Sequence, residues 1–405
     1  MTKLRTEDFA YDLSPELIAQ EPCEPRDACR LLVLNRTTGE CVHRRFSDIG
    51  KYLNPGDLLV VNETKVLPAR LRGRRADTGG AVEVLLLRAI DESSNIWECL
   101  VKPGRRVREG TELTFDPVGA LSERPPNVGA MSPSPVVTTP IPLLAGRIDA
   151  IGDEGLRTIT FTPREGTTFR EAIHALGMLP LPPYIKHYTG DPQQYQTVYA
   201  SDEHSAAAPT AGLHFTPELL KDLQANGIQI AKVRLDVGLD TFRPVSVEDP
   251  TEHPIHTEYF HVPQETIEAI NATRARGGRV IAVGTTAVRA LESAAQSAQC
   301  THQSASLGAH VNKHATFRVQ PSGTHAENSE HPDLEGIGGR TSLYILPGYD
   351  FKVVDALLTN FHIPRSTLMM LVSAFATREH ILAAYAEAVG QRYRFLSFGD
   401  AMLIT

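Results

Sequence analysis

The 405-residue chain has one tryptophan, five cysteines and no long apolar run, and each shortage argues against a class of protein. The cysteines are odd in number and show no CxxC spacing, so we expect neither a disulfide framework nor a zinc site. No apolar stretch reaches the length of a membrane-spanning helix. The first ten residues are polar and of mixed charge, so we expect no signal peptide and a cytoplasmic protein.

The motifs of the common nucleotide-binding and hydrolytic enzymes are also missing. The chain has no GxxxxGK[ST] or GxGxxG loop, no HExxH or HxE…PCxxC zinc motif and no GxSxG nucleophile elbow. We therefore expect no bound metal. Threonine, histidine, asparagine, arginine and aspartate side chains remain in loops at strand ends. These groups suit hydroxyl recognition, carboxylate binding and proton transfer.

Two sequence patterns divide the chain into two predicted domains. The apolar runs 31–34 and 57–61 read as buried strands, and helices alternate with strands from Phe169 onward. This pattern predicts a three-layer-like α/β domain, made of residues 1–65 and 164–405.

Residues 66–163 consist instead of short alternating segments separated by Gly and Pro turns. They predict an inserted antiparallel β-barrel domain. Residues 117–144 are rich in proline, and residues 294–340 are rich in Ser, Gly and His with weak periodicity, so we expect two low-complexity insertions there. A strand is expected to follow at 342–346.

The most informative stretch is AAPTAGLHFT at 207–216, because small residues, threonines and a histidine lead directly into a helix. Thr216 is a good N-cap and Pro217 suits the first helical position. A loop of this kind offers unpaired N–H groups to a ligand, and His214 can titrate near neutral pH. The alternative is a tight turn whose histidine only caps or packs.

Two further loops compete for the same site. Gly284-Thr285-Thr286 follows a strand and precedes a helix, and Thr359 to Pro364 lies before a helix that Ser366 caps. Ligands of open α/β sheets bind at the carboxyl ends of the strands. We therefore expect one pocket containing Thr210, His214, Thr285, Thr286, Arg289, Asn360, His362 and Asp400. The alternative is that each is a satisfied structural group.

The net charge is −8, yet the basic residues are concentrated in the barrel region. Arg70, Arg72 and Arg74 alternate along a predicted strand and so share one face, and Arg105 and Arg106 follow about one hairpin later. Such a cluster suits phosphate contacts. The alternative is a solvated face on which these arginines pair with nearby carboxylates, Asp77, Glu83 and Glu109 among them.

Ordered motifs along nearly the whole chain resemble the S-adenosylmethionine:tRNA ribosyltransferase-isomerase family of queuosine biosynthesis. Only the two insertions fall outside the resemblance. The motifs are DFAYDL at 8–13, GDLLVVNETKV at 56–66, LPLPPYI at 179–185, YQTVYA at 195–200, APTAGLHFT at 208–216, VGL and TFRPV at 237–245, VGTT at 283–286, PGY at 347–349, TNFH at 359–362, and YRF with GDAMLI at 393–404.

The resemblance implies an α/β fold interrupted by a β-barrel and a reaction on tRNA. The ribosyl portion of S-adenosylmethionine would move onto 7-aminomethyl-7-deazaguanine at the wobble position, giving epoxyqueuosine with release of adenine and methionine. A sulfonium acidifies the adjacent ribose carbon, so a positioned base can start the rearrangement. S-adenosylmethionine is thus a co-substrate, no cofactor is permanently bound, tRNA is the partner, and we expect a monomer that binds no membrane.

The site residues follow from the loops and the resemblance together. We expect catalytic roles for Thr210, His214, Asp236 and His362. Asp236 stands where the family usually has histidine, so a carboxylate there would orient a hydroxyl; Asp240 and Cys29 also depart from the family pattern. Co-substrate binding is assigned to Gly212, Gly284, Thr285, Thr286, Arg289, Asn360 and Asp400, and tRNA binding to Arg70, Arg72, Arg74, Arg105 and Arg106.

Two other functions stay open from the residues. A methyltransferase would use the same co-substrate but usually shows a glycine-rich loop after its first strand. A non-catalytic RNA-binding protein would use the basic face but does not need titratable loops. Product analysis separates the three functions. The ribosyltransferase releases adenine and methionine, the methyltransferase releases S-adenosylhomocysteine, and the RNA-binding protein releases nothing.

Overall fold

The computed structural model describes residues 3–117, 141–152, 155–186, 188–201, 203–238, 244–305 and 336–405. Asp240 and most of both predicted insertions lie outside these residues. The chain forms two compact units. The first contains Met1–Lys65 and Leu181–Thr405, and the second contains Val66–Pro180.

The regular elements of the described residues are α-helices and β-strands, joined by short 3-10 turns. The strands are β1 (Arg30–Leu34), β2 (Cys41–Arg45), β3 (Leu58–Asn62), β4 (Lys65–Val66), β5 (Arg70–Arg75), β6 (Ala81–Asp91), β7 (Ile96–Lys102), β8 (Glu112–Phe115), β9 (Leu144–Ile151), β10 (Leu156–Pro163), β11 (Gly177–Met178), β12 (Glu203–Ser205), β13 (Gln229–Leu235), β14 (Glu258–Pro263), β15 (Val280–Val283), β16 (Gly336–Thr341), β17 (Ala356–Asn360) and β18 (Ala401–Ile404). The helices are α1 (Phe169–Leu176), α2 (Pro217–Ala225), α3 (Gln264–Ala275), α4 (Thr285–Ala305), α5 (Thr367–Phe375) and α6 (Arg378–Gly390).

The first unit is built on a nine-stranded sheet of order β16-β14-β13-β3-β15-β17-β18-β1-β2. Its centre, β13-β3-β15-β17, is parallel. The parallel strands are apolar throughout because both faces are covered. In β3, Leu58 and Val60 join the core on one face, whereas Leu59 and Val61 join the core on the other. The apolar faces of α3 to α6 pack on the first face and that of α2 on the second, which gives three layers.

Local sequence signals place the helix starts of this unit. The Thr216 hydroxyl accepts from the Leu219 N–H and caps α2, and the Ser366 hydroxyl accepts from the Met369 N–H and caps α5. Gly284, with φ of +88°, turns the chain from β15 into α4. A residue with a Cβ is strained at that angle, so glycine fits this turn.

The second unit is a closed six-stranded antiparallel barrel in which β8 pairs back onto β5. Closure brings the backbone of Gly73 against Phe115, where an added Cβ would lie 2.5 Å from the ring. The unit extends beyond the predicted boundary at residue 163, because α1 buries Ala172 and Ile173 in the barrel core and β11 pairs with β5.

The structure corrects two predictions near the second insertion. α4 continues to Ala305, and β16 occupies Gly336–Thr341, so both ends of the predicted insertion 294–340 are regular structure. The alanine-rich sequence favours continued helix. The glycine-rich sequence of β16 is held by pairing with β14 at the sheet edge, and residues 342–346 form no strand.

Candidate active site

A solvent-open cavity lies at the carboxyl ends of the parallel strands of the first unit, with about 590 Å³ of empty space. Three strands supply its walls directly: Val237 follows β13, Gly284 follows β15 and Phe361 follows β17. This is where an open α/β sheet binds ligands. Its lining includes the predicted residues Thr210, Gly284, Thr285, Thr286, Asn360 and His362.

The N-terminus of α4 forms one wall. The first N–H groups of a helix have no partner within it and carry the positive end of its dipole. Thr285 and Thr286 are both buried, and the Thr286 hydroxyl has no hydrogen-bond partner among the described residues. A buried hydroxyl without a partner is a ready donor for a ligand oxygen.

Asn360 organises the opposite wall through three hydrogen bonds. Its Oδ1 accepts from the Thr210 hydroxyl at 3.0 Å. Its amide nitrogen donates to the Leu396 carbonyl at 3.3 Å and lies 3.1 Å from Nε2 of His214. Because the amide nitrogen is a donor, Nε2 of the imidazole accepts, and the proton of neutral His214 resides on Nδ1.

His214 lies behind this wall and does not line the cavity. Its Nδ1 lies 3.2 Å from Sγ of Cys29, so the imidazole is held on both sides. Burial, together with the positive charges of Arg26 and Arg394, lowers its pKa to about 3. Burial raises the pKa of the Cys29 thiol. The imidazole is therefore neutral at neutral pH, and its Nε2 holds the amide of Asn360.

His362 lines the cavity and is also neutral. Its Nε2 lies 2.9 Å from the Thr359 hydroxyl, and burial lowers its pKa to about 3. The backbone of His362 is fixed by two tyrosines: its N–H donates to Tyr385 at 3.0 Å and its carbonyl accepts from Tyr11. The hydroxyl–imidazole pair offers a ligand one donor and one acceptor.

Besides His214 and Arg289, three predicted site residues lie outside this cavity. Asp236 is paired with Arg234 through two contacts of 2.8 and 3.0 Å. Asp400 accepts the backbone N–H groups of Arg30 at 2.9 Å and of Arg394 at 2.7 Å, which makes it a buried structural carboxylate. Gly212 is set by close packing, since a Cβ there would lie 1.9 Å from the Tyr199 hydroxyl.

Arg289 lines a second cavity, one turn along α4 from Thr285. Its guanidinium is buried and paired with Glu258, a residue that sequence reasoning missed because no motif marks it. Two missed residues of the first cavity, Tyr184 and Ser397, are joined by a hydrogen bond of 2.7 Å. Both lie in or beside motifs noted above, so their position along the chain was the available signal.

The barrel residues predicted to bind tRNA lie on the outside of the second unit. Leu71 and Gly73 point into the barrel, so Arg70, Arg72 and Arg74 point outward, as the alternation predicts. The carboxylate of Glu83 lies 3.9 Å from both the Arg70 and the Arg72 guanidinium. Pairs this long and exposed contribute little. Asp77, one of the predicted competing carboxylates, binds Arg75. Arg105 and Arg106 are both exposed.

Within the described ranges, no group of three or more His, Cys, Asp or Glu side chains is arranged to hold a metal ion. In the same part of the chain, no helix is both long enough and apolar enough to cross a membrane.

Comparison with known proteins places the chain among proteins of queuosine biosynthesis. A family described as "Queuosine biosynthesis protein" matches residues 6–404. The S-adenosylmethionine:tRNA ribosyltransferase-isomerases of Symbiobacterium thermophilum and Moorella thermoacetica are 48% and 49% identical over 401 residues, which cover 99% of this chain and 100% of each relative. A solved S-adenosylmethionine tRNA ribosyltransferase from Thermotoga maritima is 37% identical and covers 98% of this chain and 100% of its own, with a TM-score of 0.48.

Proposed function

The chain belongs to the queuosine biosynthesis protein family and is a tRNA ribosyltransferase-isomerase, and on that premise we propose the details of its reaction. The enzyme transfers and isomerises the ribosyl moiety of S-adenosylmethionine onto 7-aminomethyl-7-deazaguanine at the wobble position of tRNA. The product is epoxyqueuosine-tRNA, and adenine and methionine leave. S-adenosylmethionine is a co-substrate, and the enzyme acts in the cytoplasm. The monomeric state stays a prediction.

The observation that carries this proposal is the cavity at the carboxyl ends of β13, β15 and β17. It combines apolar walls with a few convergent polar groups, the arrangement that small-molecule sites share. The Thr286 hydroxyl without a partner and the α4 N-terminus suit the oxygen atoms of a nucleoside. Thr210 and Asn360 present further hydroxyl and amide groups on the facing wall.

The charge state of the cavity also fits a sulfonium co-substrate. Burial keeps His214 and His362 neutral at neutral pH, so neither imidazole opposes a positive ligand. Of the residues predicted to be catalytic, Thr210 and His362 line the cavity and keep that assignment in this proposal. His214 acts through Asn360 as a positioning residue, and Asp236 has no place in it because Arg234 neutralises its carboxylate.

We assign tRNA binding to the outer face of the barrel. Its exposed cations are the densest basic cluster of an otherwise acidic chain. Phosphate contacts of this kind hold the RNA backbone without reading its sequence. The residues are Arg70, Arg72, Arg74, Arg105 and Arg106.

Product analysis on a defined tRNA tests the reaction. A tRNA carrying 7-aminomethyl-7-deazaguanine at the wobble position is incubated with S-adenosylmethionine, and the small-molecule products are separated and quantified. We expect adenine and methionine in amounts equal to the modified tRNA. The matched control is the same tRNA with guanine at that position, which should give neither. Release of S-adenosylhomocysteine would make the protein a methyltransferase, and binding without release would make it an RNA-binding protein.

A further inference from the structure

One face of α4 carries two buried polar groups that lack partners. Thr286 lines the first cavity, and neither its hydroxyl nor Nη2 of Arg289 has a hydrogen-bond partner among the described residues. The two residues are three apart, so they lie on the same side of the helix. A buried guanidinium nitrogen without an acceptor is costly, and such groups in a native protein call for an explanation.

Arg289 is held in place by its other nitrogens. Nη1 is bound to the carboxylate of Glu258, and Nε donates to the Leu343 carbonyl at 3.3 Å. Glu258 is fixed in turn, since it accepts the Gly238 N–H at 3.0 Å. The guanidinium is thus oriented before any ligand binds, and one of its donors is left over.

This leftover donor belongs to a residue that lines the second cavity, which has about 530 Å³ of empty space. The second cavity adjoins the first. Leu368 lines both of them, and the neighbours Val237 and Gly238 line one each. A ligand that fills the first cavity can therefore extend one end towards Arg289.

We propose that Arg289 and Glu258 bind the α-amino-acid group of the methionyl portion of S-adenosylmethionine. This inference rests on the function proposed above and adds a subsite to it. A guanidinium matches a carboxylate in geometry, and Glu258 complements the ammonium in charge. The pair is neutral as a whole, and so is a zwitterionic amino-acid group, so binding brings no net charge into a buried site.

A tRNA phosphate is the competing occupant, and the structure disfavours it. Phosphate carries only negative charge, and it would sit beside the carboxylate of Glu258 with no positive group of its own. Like charges at short range in a partly buried site repel strongly. The amino-acid group avoids this repulsion because it brings its own cation.

Decarboxylated S-adenosylmethionine is the probe for this subsite, because it lacks only the carboxylate. The wild-type enzyme should prefer S-adenosylmethionine by about 10- to 100-fold in kcat/KM, the range expected for hydrogen bonds to a charged group. Calorimetry should show the same preference in affinity. The double variant Arg289→Gln/Glu258→Gln removes both charges together and should reduce the ratio of the two kcat/KM values towards one.

Arg289→Lys keeps the positive charge but loses the paired N–H donors of the guanidinium, so its preference for S-adenosylmethionine should be intermediate. Arg276→Gln, which removes an exposed arginine at the end of α3, is the matched control and should keep the full preference. If the double variant does not fold, the preferences of the wild type and of Arg289→Lys still test the subsite.

Equal use of both compounds by the wild type would overturn the subsite, as would a preference that stays at the full wild-type value in the folded double variant or in Arg289→Lys. A raised KM for tRNA with an unchanged KM for S-adenosylmethionine would assign Arg289 to a phosphate instead. Failure of the proposed function looks different, because the wild type would then release no adenine from S-adenosylmethionine at all.

Discussion

Neutral buried histidines should make the first unit sensitive to mild acid. His214 and His362 are both fully enclosed, and burial lowers the pKa of each from its ordinary value to about 3. In the unfolded chain an imidazole has a pKa of about 6.5. Below that pH the unfolded chain takes up protons that the folded protein cannot. The stability that these residues contribute is therefore complete above pH 6.5 and is lost as the pH falls towards 3.

The magnitude follows from linkage. Each unit of pKa difference corresponds to about 1.4 kcal/mol, and the loss begins near the unfolded pKa. Between pH 7 and pH 5, each histidine should therefore lower the free energy of unfolding by about 2 kcal/mol, and the pair by about 4 kcal/mol. His214→Gln removes one of the two groups, so it should reduce the pH-dependent loss by about 2 kcal/mol, whatever its effect at pH 7.

Urea unfolding at pH 7 and pH 5 measures this difference for the wild type and for His214→Gln. His174→Gln, which removes an exposed imidazole on α1, is the matched control. An NMR titration adds a direct reading, in which the ring protons of His214 should not shift down to pH 5. The reasoning fails if those protons titrate near pH 6, or if His214→Gln leaves the pH-dependent loss unchanged.

Three further predictions follow from the same structure. Asn360→Ala removes the amide that joins Thr210 to the core, so the Kd for S-adenosylmethionine measured by calorimetry should rise about tenfold; an unchanged Kd and rate would place the co-substrate elsewhere. Arg72→Glu with Arg74→Glu should raise the KM for tRNA and leave co-substrate binding unchanged. The slope of its log–log salt dependence should become shallower by about 0.7 to 0.9 per lost phosphate contact. If both the KM for tRNA and the salt slope stay at their wild-type values, tRNA docks elsewhere than on this face. Gly212→Ala forces a methyl group to within 1.9 Å of a tyrosine oxygen, so it should lower stability in urea unfolding, and a neutral result would contradict the packing described here. Overpacking of this kind costs about 1 to 3 kcal/mol.

Much of the fold was readable from local patterns, and each success has a local cause. The Thr216–Pro217 signal predicts the start of α2, because capping needs only neighbouring residues. The alternation of Arg70, Arg72 and Arg74 predicts their common outward face, because a strand has a period of two. β16 was missed since its glycine-rich sequence has low strand propensity and depends on its partner β14.

The residues of the candidate site likewise differ in whether local sequence or distant contacts determine them. The sequence by itself determined which loops end parallel strands, and so brought Thr286, Asn360 and His362 to one cavity. It could not determine which polar side chains are satisfied by distant partners. Asp400 meets Arg30 across 370 residues, and the partner of Arg289 is supplied by β14.

Only the tertiary structure decided that His214 is neutral and that, among the described residues, Nη2 of Arg289 has no hydrogen-bond acceptor. Both depend on burial and on contacts between residues far apart in the chain. Burial sets the cost of a charge, and that cost keeps the imidazole of His214 neutral at neutral pH. Residue types and spacing fix which chemistry is available, whereas the packing of distant segments fixes which groups are left to perform it.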